Sequence, residues 1–254
     1  MENLDELTKA ALDACDAAGM KQPSGPLYER FIAFQEGFRE AGVSFNADGD
    51  PWESMRLIKA EGSDRLASQI ARSVRAMEPL MAHLPHLSFR DGRKLACFIT
   101  DEGFASCSQF HATDGKRLYP LPESLVLDGS PESYWEAVLL FHASSQFWLD
   151  WHACNKSENI VCDFRRFLMA NAFFPISSGE NFDCLSPENQ KKLLEMDFLP
   201  EVKFNRKTVS VSYVVTDPSG NFRRIRVRIP TNGPYHISKV TEIETVYSNC
   251  VVMF

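Results

Sequence analysis

The chain has 254 residues, 44% of them hydrophobic and 24% charged, with a formal net charge of −7. That length can bury a substantial core, as one large domain or two small ones, and the composition is that of a folded rather than a disordered protein. The acidic total argues against a surface that binds nucleic acid all over, no apolar run approaches the roughly eighteen residues of a membrane span, and the acidic opening lacks the order of a secretory signal.

The first 88 residues read as a helical region. Leu4, Leu7, Ala11, Cys15 and Ala18 share one face of an expected helix over 2–18, with Gly19 as its stop. A breaker-rich link precedes a second helix at 27–41, striped by Leu27, Phe31, Phe34 and Phe38. Asp50, Pro51 and Glu53 mark a third helix start, and Gly62 its end. Ser63 then opens a fourth, with Leu66, Ile70, Val74, Met77 and Met81 as its stripe and a kink expected at Pro79.

Residues 89–254 read as an α+β region, continuous with the first part or separate from it. Leu95–Thr100 and Phe104–Phe110 suggest a hairpin, and Asp114-Gly115 a turn towards Leu118-Tyr119. Ser130-Pro131-Glu132 opens a helix expected to reach Ala153, apolar all round and therefore buried on several sides. Shorter helices follow at 163–173 and 186–196.

The C-terminal quarter alternates most clearly. Val209, Val211, Tyr213 and Val215 interleave with Ser210, Ser212 and Thr216; Ile225, Val227 and Ile229 interleave with Arg224, Arg226 and Arg228. A three-residue loop, Pro218-Ser219-Gly220, pairs Val215 with Arg223, Tyr213 with Ile225, Val211 with Val227 and Val209 with Ile229. It also pairs Ser212 with Arg226 and Ser210 with Arg228. A four-residue loop sets arginines against valines and mixes the faces, so the pattern selects the shorter one. A third strand is expected over Tyr235–Tyr247, with Tyr235 and Ile237 on the apolar face and His236 and Ser238 on the arginine face. A short fourth strand is expected at Cys250–Phe254. The fold class expected is thus α+β: a helical N-terminal region, a β-hairpin, a buried aromatic-rich helix and a C-terminal antiparallel meander.

Charge singles out the same segment. Residues 203–239 hold eight Lys or Arg and one acid, Asp217, for +7, so the remainder carries −7 − 7 = −14. The binding residues expected are Arg224, Arg226, Arg228, His236, Ser210 and Ser212: guanidinium groups two apart on a strand point the same way and can fork onto several oxygens. The competing reading is a solvated face, or one covered by acidic helices with ion pairs through Glu242 and Glu244.

Catalytic signals are weaker. Asp183 with Glu201-Val202-Lys203 loosely matches the D…ExK arrangement of metal-dependent nucleases, which needs the ExK on a strand beside the Asp. His152, Cys154, Cys162 and Cys184 are ligand types without the paired spacing of a zinc site. Asn46, Asp48 and Asp50 fail as a calcium loop because Pro51 and Leu57 stand where Gly and Glu belong. His142, near Ser145 and Gln146, reads as a hydrogen-bonded core histidine, and His83 and His86 as residues of a helix end. Walker A, GxGxxG, GxSxG and HExxH motifs are absent from the sequence. Seven scattered cysteines with no CxxC pair suggest reduced thiols and a cytoplasmic setting, and Cys250, fifth from the end, is not a prenylation box. No cofactor or metal is called for. The expectation is a non-enzymatic cytoplasmic binding protein of inhibitor, immunity or regulatory type. Its partner is a protein or nucleoprotein, with no membrane. A metal-dependent nuclease or other hydrolase, and a nucleic-acid-binding protein, are the alternatives.

Overall fold

The computed structural model describes residues 2–41, 77–101, 105–144, 147–149, 159–171, 185–217 and 220–246. The expected helix at 52–61, most of the fourth helix, the strand at Cys250–Phe254 and the ligand-type residues Asn46, Asp48, Asp50, His152, Cys154, Asp183 and Cys184 lie outside them.

The fold is α+β, with every sheet antiparallel. Helix α1 (Glu2–Ala17) buries Ala11 and Cys15 from the expected stripe. Gly19 ends it at φ 68°: its N–H donates to Asp16 O and the Met20 N–H to Cys15 O, the paired closure that a left-handed residue after a helix permits. Helix α2 (Pro26–Glu40) buries Phe31 and Phe34. Against it lies α3, the described turn and a half of the fourth expected helix at 77–82, helical through Pro79. A Cβ on Gly37 of α2 would stand 3.0 Å from His83 Cβ and 3.1 Å from Leu80 Cα, so glycine is what allows the two to approach.

Strand β1 (Leu87–Phe89) leads through a 3-10 turn into β2 (Lys94–Asp101), which forms the expected hairpin with β3 (Ala105–Thr113). The Asp114 turn returns the chain as β4 (Leu118–Pro120). Backbone N–H groups of Lys116 and Arg117 and the Tyr119 hydroxyl all donate to the Asp114 carboxylate, led by Lys116, and hold it down at about 2. A single helical turn, α4 (Leu121–Ser124), precedes β5 (Leu125–Leu127), which pairs with β1.

The aromatic helix is α5 (Pro131–Ala143), capped as expected by Ser130, whose Oγ accepts the Ser133 N–H at 3.1 Å. All residues from Ser133 to Phe141 are buried. It ends ten residues before the expected Ala153. Ser144 turns its hydroxyl back onto Phe141 O at 2.7 Å, and Phe147–Leu149 becomes strand β6, pairing with β3. The aromatic run was apolar enough for either element, and strand pairing to β3 decided it.

The remaining elements are β7 (Asn159–Val161), α6 (Phe164–Asn171), α7 (Pro187–Glu195), β8 (Glu201–Phe204), β9 (Thr208–Thr216), β10 (Phe222–Pro230) and β11 (Lys239–Val246). β9 is the centre of the C-terminal sheet. β10 lies on one side of it; β7 and β8 share the other, β8 along residues 209–212 and β7 along 214–216. All six expected β9–β10 pairs occur. Gly220 sits at φ 77°, its N–H donating to Asp217 O, while the Asp217 N–H donates to Asn221 O, which closes a loop of three residues. β11 begins at Lys239 rather than Tyr235, although Tyr235 and Ile237 do pack on the apolar core as expected.

Two cores flank this sheet. The larger unites α2, α3 and α5 with Val209, Val211, Tyr213, Val215, Ile225, Val227 and Ile229. The smaller, on the opposite face, joins α1, α6 and α7 to Val161, Val214, Phe222 and Val246. No described helix is long and apolar enough to cross a membrane.

Candidate anion-binding face

Because cross-strand partners share a face, the register builds rows across the sheet. On the face opposite the larger core, Lys203 of β8 is level with Ser210 of β9, Arg228 of β10 and Lys239 of β11. The next row on that face is Glu201, Ser212, Arg226 and Thr241. Between them, on the core face, runs Val202, Val211, Val227 and Val240. Strands lie about 4.8 Å apart, so the basic row sets three cations across roughly 14 Å with one small hydroxyl among them.

The arginines differ in their surroundings. Arg224, nearest the smaller core, donates to the main-chain oxygens of Asp197 and Leu199 beyond the end of α7. It is a structural tie. Arg226 is half-buried, its Nε donating to Ser212 Oγ at 3.2 Å. Arg228 is exposed. Ser210 and Ser212 are buried beneath these side chains, and Asn205 reaches Ser210 Oγ at 3.4 Å. His236 is exposed, its ring resting on Pro234 O. Glu242 pairs at 4.0 Å with Arg223, on the opposite face from Arg228, and Glu244 stands level with Arg224. The basic face is thus sealed at its hairpin end and open at the other, where Arg228, Lys203 and Lys239 are exposed.

Of the nuclease-type residues, Glu201 and Lys203 do lie on a strand and on one face, paired at 2.7 Å. Their ion pair occupies the lysine's charge locally and leaves Arg228 and Lys239 as the row's other cations. Among the described residues no three His, Cys, Asp or Glu side chains converge as metal ligands.

A second polar cluster gave no signal as a motif. Glu136, on the first turns of α5, is fully buried. Its Oε2 accepts the His86 N–H at 3.1 Å; its Oε1 stands 3.7 Å from Arg30 and makes no hydrogen bond among the described residues. Burial pushes this carboxyl up to about 7, against the pull of His86 and Arg30. The His86 ring meets Asp128 at 2.7 Å. Burial works against the Asp128 carboxylate, but hydrogen bonds from Ser130 and His86 outweigh it and hold the group at about 2. An ionised carboxylate only accepts, so Nδ1 of His86 carries the proton. Ser130 approaches that same Nδ1, at 3.4 Å, and not Nε2. A nucleophile relay needs the acid on one ring nitrogen and the hydroxyl on the other, so this is a clamp on the N-terminus of α5 rather than a hydrolytic triad. A carboxylate past the first turn of a largely apolar helix, Glu136, was the available sequence clue.

The chain matches no protein-family model, no curated protein and no solved structure.

Proposed function

We propose that this chain is a non-enzymatic binding protein of inhibitor, immunity or regulatory type, which works in the cytoplasm and holds an anionic surface of a protein or nucleoprotein partner. The observation that carries the reading is the exposed basic row laid across four adjacent strands, with Arg228 and Lys239 at its open end and Lys203 beside them in its ion pair with Glu201. A row on a sheet is rigid, so its cations are set in place before a partner arrives and little ordering is needed on binding. The concentration of positive charge in one segment of an acidic chain favours a partner that is itself patchy, attracted by this face and repelled elsewhere. The free, buried thiols of Cys15 and Cys162 fit a reducing compartment.

The triple variant Lys203→Glu/Arg228→Glu/Lys239→Glu tests the reading on immobilised polyglutamate and heparin. All three side chains are exposed, so the fold tolerates the change. The native protein is expected to be retained at low salt on at least one matrix and the variant to pass through. Equal retention of the two, or none for the native protein, removes the basic row as a binding face. Preference for heparin with a steep salt dependence selects a nucleoprotein over a protein partner.

A further inference from the structure

Each row of the sheet runs out at β11. Among the described residues this strand pairs with β10 alone, and Lys239 to Glu244 are exposed. The valine row shows the consequence: Val211 and Val227 are buried, while Val240 at its end is 60% exposed. Lys239 ends the basic row in the same way on the opposite face. A sheet edge bearing unsatisfied main-chain groups is a template for one more strand, and proteins usually blunt it with charges, bulges or a covering segment.

β11 is blunted in one half only. The ladder to β10 slips between Arg224 and Ile225, so Ile243 is an extra, bulged residue, flanked by Glu242 and Glu244. Lys239 to Thr241 keep regular pairing and a regular alternation of faces. They present a cation, an aliphatic side chain and a hydroxyl in succession.

We propose that β11 receives an extended segment of the partner as an added strand, and that this segment alternates carboxylate and aliphatic side chains. Its main chain takes up the outward N–H and C=O groups of Lys239–Glu242. A carboxylate falls in line with Lys239, about 4.8 Å along the row. The neighbouring aliphatic side chain falls in line with Val240 and covers the end of the valine row. The bulge and the two glutamates stop the pairing at one end, which keeps the contact short. They also disfavour acids beyond it, so the charge at Lys239 sets the register. The preference for acid rests on the basic-face reading above; the strand addition rests on β11 having β10 as its one strand partner among the described residues.

The test uses the full chain and a short labelled synthetic peptide alternating glutamate and valine, followed by fluorescence anisotropy and amide hydrogen exchange. Binding is expected, with exchange slowed in β11. N-methylation of the peptide amides along one edge should weaken binding about tenfold or more, because each lost main-chain bond leaves a donor or acceptor unmatched. Val240→Arg and a lysine–valine peptide should each weaken it to a similar degree. If the N-methylated peptide binds as well as its parent, strand addition is overturned while the basic-face reading stands. If the lysine–valine peptide binds equally, the acidic preference is overturned. If no glutamate–valine binding is seen although the protein is retained on polyglutamate or heparin, strand addition alone fails; no peptide binding together with retention on neither matrix sinks both readings. A concentration-dependent dimer that Val240→Arg dissociates places a second copy on the edge and overturns the proposal.

Discussion

The two ends of the β9–β10 hairpin share one alternating pattern and have opposite fates. Near the loop, Val214, Thr216 and Phe222 point away from the larger core, yet all are buried, because α1, α6 and α7 close over them. At the far end the same face carries Arg226 and Arg228 over buried serines and meets solvent. Alternation assigns residues to a face; whether that face is interior depends on which helices reach it. Arg224 lies at the boundary between the two ends and is anchored to main-chain oxygens instead of a partner.

The largest effect should come from the covered end. Phe222 packs edge-on to Phe164 and Phe167 at 5.6 Å, so Phe222→Ala should lower stability by about 3–5 kcal/mol in urea unfolding. A loss under about 1 kcal/mol would mean that this end is no core at all, and the contrast with the open end would collapse.

Next comes the buried acid under the larger core, which tests whether a polar group can sit inside without full satisfaction. Glu136 ionises near 7 when folded and near its ordinary 4.5 when unfolded, with burial as the main cause. Its protonated form favours the fold, so its contribution is complete below about 4.5 and is lost as pH rises to about 7. The change is on the order of 3 kcal/mol across that window. His86, Asp128 and Arg30 face or adjoin the group, and Asp128 is already ionised there. Glu136→Gln keeps an acceptor for the His86 N–H and should flatten this slope in urea titrations run at stepped pH. An unchanged slope would reassign the pH dependence to other groups.

A smaller loss is expected in the loop that joins the two strands. Gly220→Ala places a Cβ at φ 77° and should cost about 1 kcal/mol, measured by the same unfolding curves, because left-handed backbone penalises any side chain there. No loss would argue that the loop can change its length and that the register is held by the side chains alone.

The smallest stability change belongs to the open end. Arg228→Ala should stay within about 0.5 kcal/mol of the native protein while weakening retention on polyglutamate. Equal destabilisation by Arg228→Ala and Phe222→Ala would erase the distinction between the ends.

Much of this was legible in residue order, for reasons specific to each place. The loop at Pro218–Gly220 could be deduced because a one-residue slip would have turned every valine outward. Gly19 and Ser130 announced helix boundaries through the hydrogen bonds that only their conformations or side chains supply. The limit of α5 was not legible, since Phe147, Trp148 and Leu149 suit a buried helix as well as a strand and only pairing with β3 distinguished them. Strands β1, β5 and β7 are three residues each, too short for periodicity to register.

The sequence by itself therefore determined the α+β class, the hairpin register and the identity of the basic face, because these follow from periods and turn chemistry along a few neighbouring residues. Only the tertiary structure decided that Arg224 is a tie, that Arg228 aligns with Lys203 and Lys239, and that the rows end exposed at β11. Those facts depend on strands and helices far apart in the chain, whose packing no local pattern encodes.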